Sequence, residues 1–203
     1  MYLDLVSFIV AAGYVGLFVI IFAETGLLIG MFLPGDSLLL TVGLVASKGI
    51  FDIRLLIPLL IVAAVAGDAT GYYIGKQAGP MLFARDESRF FKRRHLLKAR
   101  EFYDQHGGKT IFLARFLAFV RTFAPTVAGA VGMPYRQFSL YNVTGGVAWI
   151  TSMTLGGYWL GDTLERLPVN PEIAIVFTVI VVIVVSVLPA VWHVWRERKS
   201  SMR

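Results

Sequence analysis

The chain has 203 residues, of which 57% are hydrophobic and 16% charged, with a formal net charge of +6 and no cysteine. A soluble domain averages roughly 45–50% apolar and 25% charged residues, so one water-soluble core does not account for this composition, and the missing cysteines exclude disulfides, thiolate catalysis and Cys-ligated zinc. Nor does the positive charge indicate nucleic acid: eight of the 19 Lys and Arg fall in residues 85–109 and four more between Arg196 and Arg203, beside apolar runs, as the positive-inside bias predicts for cytoplasmic loops, and no nucleic-acid-binding motif accompanies them.

The first apolar stretch, Leu5 to Ala23, is long enough to cross a bilayer. It has no basic residue before it and no small-residue cleavage site after it, which predicts a retained span and not a signal peptide. Glu24 ends it. A second apolar region, Leu27 to Ala46, is interrupted by FLPGDS at 32–37. Pro34 and Gly35 break a helix and leave two arms of about ten residues, too short to span. A re-entrant hairpin is predicted, a form tolerated at membrane depth where protein or a wet cavity surrounds the broken backbone. The third segment, Leu55 to about Leu82, predicts a span with Asp68 near its centre. Residues 85–109 interleave Phe90, Phe91, Leu96, Leu97, Phe102 and Tyr103 with charges, the pattern of an amphipathic helix on the membrane surface.

The second half repeats this plan. Ile111 to Met133 is apolar but carries Arg115 and Arg121, with Pro125 near its middle, and predicts a second hairpin. Phe138 to Leu160 reads as a span, Asp162 to Glu172 as a polar turn, and Ile173 to Trp195 as the last span, with Trp192 and Trp195 at an aromatic belt beside the basic tail. Glu24 precedes Pro34 by ten positions, as Arg115 precedes Pro125, and Gly71-Tyr-Tyr-Ile-Gly75 matches Gly157-Tyr-Trp-Leu-Gly161 in type. With the basic loop and the tail both cytoplasmic, the hairpins enter from opposite faces, as in inverted-repeat transporters. The expected fold is an all-α integral membrane protein, a polytopic helical bundle with two oppositely oriented re-entrant helical hairpins. It forms a single transmembrane domain over 1–203: repeat 1 at about 5–84, a cytoplasmic amphipathic segment at 85–109, repeat 2 at about 110–161 and a C-terminal span at 173–195. Both termini are expected to be cytoplasmic in a cell inner membrane.

Glu24, Asp36, Arg115 and Arg121 are the ionisable groups of the hairpin regions. A central charge costs about 2.5–3.5 kcal/mol on insertion scales, so four facing lipid would cost on the order of 10 kcal/mol. They must pair or face water. Asp36 is also a favoured N-cap for a helix beginning at Ser37, and Glu24 has an interfacial alternative. On an unbroken helix Arg115 and Arg121 would point roughly 120° apart, so converging on one ligand requires a bend. Asp68 fits either a cavity or a polar contact between helices. Asn142 and Trp149 share one helical face, where packing is the default reading. No pair among His95, His106 and His193 has metal-ligand spacing, and neither metal nor cofactor is expected.

FAETGLLIGMFLPGDSLLLTVGLVASKG at 22–49 and FLARFLAFVRTFAPTVAGAVGMPYRQF at 112–138 closely resemble the DedA family, and the similarity continues through Asn142, Gly146 and Trp149. The resemblance implies an inner-membrane protein with two opposed re-entrant hairpins. Family members are similar to transporters of undecaprenyl phosphate, the lipid carrier of envelope synthesis, and distant eukaryotic relatives look like lipid scramblases. The family's acidic pair then falls on Glu24 and Asp36, and its arginines on Arg115 and Arg121. Where the family commonly has proline three residues after the first arginine this chain has Ala118, so a less broken helix is expected there.

The expected function is that of a transporter or flippase of an anionic phospho-lipid, not an enzyme. Arg115 and Arg121 would bind the head group, because guanidinium forks match phosphate oxygens and stay charged when desolvated. Glu24 and Asp36 would act as a proton-linked gate or as counter-ions, with Asp68, Asn142 and Trp149 accessory. The expected partners are the lipid substrate and the membrane, and an oligomer is compatible with this reading. A polyprenyl pyrophosphate phosphatase is the main rival, since PGDS at 34–37 resembles a phosphate-cradling turn. Against it, no paired Glu motif precedes that turn, no arginine directly follows it and no His is positioned as nucleophile. A general lipid scramblase and a non-transporting membrane organiser are the remaining alternatives.

Overall fold

The computed structural model describes residues 2–27, 35–84, 101–103 and 105–166. Most of the basic segment, Pro34 of the first motif and the C-terminal span at 173–195 lie outside the described residues. Every element among those described is a helix: α1 (Tyr2–Gly26), α2 (Gly35–Ser47), α3 (Ile53–Ala84), α4 (Lys109–Ala114), α5 (Ala118–Ala130) and α6 (Tyr135–Arg166). They sort into two compact units. One takes the start of α1, then α2 and the end of α6 from Met153; the other takes α1 from Ala12, α3 from Arg54, α4, α5, and α6 as far as Ser152.

Several expected boundaries are corrected. The first apolar stretch is not one uninterrupted span: α1 breaks at Gly13, at φ 59° and ψ −166°, a conformation that glycine adopts without the Cβ penalty. The apolar helix beyond the break runs Ala12–Gly26. Helix α2 starts at Gly35, so Asp36 sits inside its first turn and is not the residue before it; an acid there still complements the helix dipole. The polar turn expected from Asp162 does not begin there, because α6 continues to Arg166. An exposed Asp162–Arg166 pair at 2.9 Å spans its last turn at i,i+4 spacing, with the cation at the C-terminal end where the dipole favours it.

Among the described residues, one helix combines the length and the apolarity needed to cross a membrane: Ile53–Gly79 of α3, with mean hydropathy 1.9. Helix α6 has 32 residues, about 48 Å at 1.5 Å per residue, but Asn142, Thr144, Thr151, Ser152 and Thr154 dilute its apolar character.

In the second unit Gly71, Gly75 and Gly79 recur at every fourth position and so share one face of α3. Helix α5 lies on that face. A Cβ at Gly75 would overlap the Thr126 carbonyl, one at Gly79 would stand 2.5 Å from the Ala130 carbonyl oxygen, and on α5 itself Gly129 abuts the Tyr72 carbonyl. Small residues let two helix backbones approach this closely. The first unit uses the same device, with Gly43 of α2 against the Thr154 carbonyl and Gly157 of α6 against the Leu40 carbonyl.

The turn from α5 into α6 is fixed by its hydrogen bonds. Met133 N–H donates to Ala128 O at 3.0 Å and Gly132 N–H to Gly129 O at 3.1 Å, with Gly132 at φ 82°, the Schellman arrangement of a helix end. Tyr72 Oη, from α3, donates to the Met133 carbonyl at 2.5 Å, and the Tyr72 ring stacks on Phe138 with centroids 4.6 Å apart. These contacts fix the path by which the chain leaves α5 and enters α6, the helix that carries Asn142 and Trp149.

Candidate functional site

Helices of the second unit bring six polar or aromatic side chains into its interior. Glu24 (2% exposed) lies in the last turn of α1, Asp68 (4%) in mid-α3, Arg115 (2%) just after α4, Arg121 (7%) in the first turn of α5, and Asn142 (1%) and Trp149 (0%) on α6.

The arginines are set by a break between α4 and α5. Phe116 N–H donates to Leu113 O at 3.1 Å and Leu117 N–H to Ala114 O at 3.0 Å, i→i+3 bonds that tighten the end of α4. Leu117 then turns extended, at φ −114° and ψ 100°, before α5 begins at Ala118. Without proline at 118 the backbone still breaks, just before this residue. Pro125, in contrast, sits inside α5. The break supplies the bend that two arginines six positions apart need in order to reach one cluster.

Each arginine meets a carboxylate from a different helix. Arg115 Nη2 donates to Asp68 Oδ2 at 2.5 Å, and Arg121 Nη2 to Glu24 Oε1 at 2.6 Å. Arg115 Nη2 also donates to Asn142 Oδ1. Asn142 in turn donates its amide N–H to the Val65 carbonyl at 3.1 Å, which fixes the orientation of the amide. Gly145 and Gly146 leave room for the arginine: a Cβ at the first would stand 3.2 Å from Arg115 Cδ, and one at the second 3.5 Å from Arg115 Cζ. The Arg121 guanidinium lies over the Trp149 ring, 4.4 Å from its centroid, a cation–π distance. Glu24 is held by the fit of α1 to α3, where Thr25 Oγ1 donates to Ile21 O at 3.0 Å and Ala64 O at 3.3 Å, and a Cβ on Gly26 would meet the Gly67 carbonyl oxygen at 2.7 Å.

Two cations and two anions thus neutralise one another within an apolar interior. Asp68, Asn142 and Trp149, placed in the sequence as accessory or packing residues, contact the arginines directly. Asp36 belongs to the other compact unit, half-buried in the first turn of α2. Gly146 was named in the sequence only as part of the family resemblance and Gly145 not at all; adjacent glycines inside a helix, each unfavourable by about 1 kcal/mol relative to Ala, are the signal that marks the shelf they form. Among the described residues no three His, Asp or Glu gather as a metal site would require.

A chain whose described elements are all helices, with an apolar helix of spanning length and a buried charge cluster, has the makeup of a helical membrane protein. The VTT domain family matches residues 33–159, a range that contains Asp36, Asp68, Arg115, Arg121, Asn142 and Trp149 and begins after Glu24. The chain is 44% identical over 192 residues to Protein DedA of Escherichia coli (strain K12), covering 94% of this chain and 85% of that protein. It is 42% identical over 197 residues to an uncharacterized membrane protein of Mycobacterium leprae (strain TN), covering 97% and 87%. It is 33% identical over 190 residues to the inner membrane protein YqjA of Escherichia coli (strain K12), covering 93% and 86%. No solved structure matches it. The chain belongs to the DedA family of VTT-domain membrane proteins.

Proposed function

We propose that this protein moves a phosphate-bearing lipid across the inner membrane, without chemical conversion of that lipid, and that undecaprenyl phosphate, the substrate class the family resemblance implies, is its cargo. The observation that carries this reading is the pair of buried arginines, each matched to a carboxylate on another helix in a membrane protein. Guanidinium groups pair with phosphate oxygens as they do with carboxylates, so a lipid head group would compete with Glu24 and Asp68 for the same donors. Its acyl or prenyl tail stays in the bilayer, and only the head group needs a path through protein.

Charge balance supports a proton link. Glu24 and Asp68 already offset Arg115 and Arg121, so a phosphate monoester carrying about −1.5 to −2 enters an interior that has no net positive charge left to meet it. Each proton taken up by a carboxylate offsets one unit of that charge, and in this proposal Glu24 and Asp36 serve as the proton-linked gate or counter-ions. The opposed re-entrant hairpins and the cytoplasmic termini belong to the same reading. The apolar helix Gly35–Ser47, too short to cross by itself, and the break at 115–117 support it.

The test is movement of labelled polyprenyl phosphate in proteoliposomes, with a zwitterionic lipid as control. Arg115→Ala and Arg121→Ala are expected to abolish movement, and unchanged transport in both would remove the arginines from the mechanism. Equal movement of the two lipids would indicate a general scramblase, and release of inorganic phosphate from polyprenyl pyrophosphate would indicate a phosphatase. Topology is tested by single cysteines at Ser88 and Thr163 with an impermeant thiol reagent. Position 163 is expected to label from outside in intact cells, and labelling at 88 would overturn the orientation.

A further inference from the structure

We infer that Asn142 is a positioning residue that fixes the Arg115 guanidinium for the substrate phosphate; the inference rests on the reading that the two arginines bind the head group. The argument begins with the amide. Asn142 is 1% exposed, and both ends of its side chain are occupied, with Nδ2 donating to the Val65 carbonyl at 3.1 Å and Oδ1 accepting from Arg115 Nη2. The Val65 bond uses a backbone acceptor on α3, one turn before Asp68, so the amide oxygen and the Asp68 carboxylate are set by the same helix. The same Nη2 serves both acceptors.

A carboxylate alone leaves a guanidinium free to slide between monodentate and bidentate pairing. A neutral amide held by its own donor supplies a second, directional acceptor without adding charge. Gly145 and Gly146, on the same face of α6 as Asn142, leave room for the arginine, where a Cβ would stand 3.2 Å from Arg115 Cδ and 3.5 Å from Arg115 Cζ. With Nη2 fixed in this way the plane of the group is set, and with it the direction of the neighbouring Arg115 Nε, which is buried and without a hydrogen-bond partner. An orphaned buried donor is unfavourable to keep; an incoming phosphate oxygen is the acceptor that satisfies it. Neutrality at 142 is part of the inference. A second carboxylate beside Arg115 would outbalance it and oppose an anionic ligand.

The experiment has two readouts, one independent of transport. The first is the Arg115 Nε–H resonance of isotope-labelled, full-length protein in lipid nanodiscs, assigned by its loss in Arg115→Lys. It is expected to be sharp in the wild type and to broaden or shift toward the solvent-averaged position in Asn142→Ala. An unchanged resonance overturns the positioning role whatever the transport assay gives. The second is a double-mutant cycle on the concentration dependence of polyprenyl phosphate transport. Asn142→Ala is expected to raise the apparent KM about tenfold, the loss of one hydrogen bond to a charged group, with kcat little changed. In the Arg115→Ala background the same change is expected to add nothing further to the loss of binding, read from retention of labelled polyprenyl phosphate. Additive effects would assign Asn142 to folding alone. Asn142→Asp, which keeps the oxygen but adds charge, is expected to raise KM further than Asn142→Ala; a KM at or below that of Asn142→Ala would overturn the neutrality requirement. If Asn142→Ala does not accumulate, Asn142→Ser carries both readouts. Should Arg115→Ala transport as well as wild type, the phosphate reading fails, and the resonance still decides whether Asn142 holds the arginine.

Discussion

The two arginines make the same kind of ion pair in different surroundings. Arg115 pairs with Asp68 at 2.5 Å and Arg121 with Glu24 at 2.6 Å, and all four side chains are buried. Beyond the carboxylate, Arg115 meets an amide that is itself tied to backbone, whereas Arg121 meets the face of an indole. An amide oxygen is a directional acceptor and fixes the angle of its donor. A ring quadrupole attracts a cation over most of its face and fixes little beyond the separation. One pairing chemistry is therefore set beside two different second neighbours, an amide tied to backbone and the face of an indole.

Removing either carboxylate tests whether the two pairs are alike where they should be alike. Asp68→Ala and Glu24→Ala each take a carboxylate partner from a buried arginine and are expected to destabilise the protein by about 3–5 kcal/mol, read by thermal unfolding in detergent. Asp68→Asn, which keeps shape and an acceptor oxygen, is expected to lose less. A variant of either kind with wild-type stability would show that its pair is not formed in the membrane. Lysine substitutions sharpen the contrast. Arg115→Lys keeps the charge but cannot serve two acceptors in a fork plane, and binding of polyprenyl phosphate is expected to fall about tenfold, the loss of a charge-assisted bond. Arg121→Lys is expected to fall less, because an ammonium also sits on an indole face; equal losses would erase the distinction between the two surroundings. Trp149→Leu, which removes the face, is expected to weaken the Arg121 side by about 0.5–2 kcal/mol and to leave Arg115→Lys no worse than before. The smallest effect belongs to Tyr72→Phe, which removes the bond to the Met133 carbonyl and is expected to lower stability by about 1 kcal/mol.

Much of this site was legible in the sequence as a set of residues and little of it as a set of partners. Charges in apolar runs identify themselves through their insertion penalty, and Glu24, Arg115 and Arg121 were found on that ground. Their pairing was not readable, because Asp68 and Arg115 are 47 residues apart and Glu24 and Arg121 are 97 apart, separations that no local periodicity encodes. Asn142 and Trp149 sit on one helical face, and that face packs, as read; that it packs against guanidinium groups depends on where α4 and α5 break. The break itself was sought in proline. The chain instead turns on three i→i+3 bonds and one extended residue, and Pro125 is absorbed within α5. Helix α3 was foreseen to within two residues at each end, because a long apolar run carries its own signal. The break in α1 at Gly13 was not, because a glycine in an apolar helix gives no sign by itself of whether its φ is positive.

The crossing of α3 and α5 also bears on suppressor genetics. Gly75 and Gly79 face carbonyl groups of Thr126 and Ala130, and Gly129 faces that of Tyr72; what each glycine meets is backbone, which every amino acid shares. A misfit between two side chains can be relieved by trimming the other partner, but a Cβ at Gly75 meets an obstacle that no substitution at 126 removes. Selections for revertants of Gly75→Ala should therefore return true reversions, or changes that shift a whole helix, and none at the facing position.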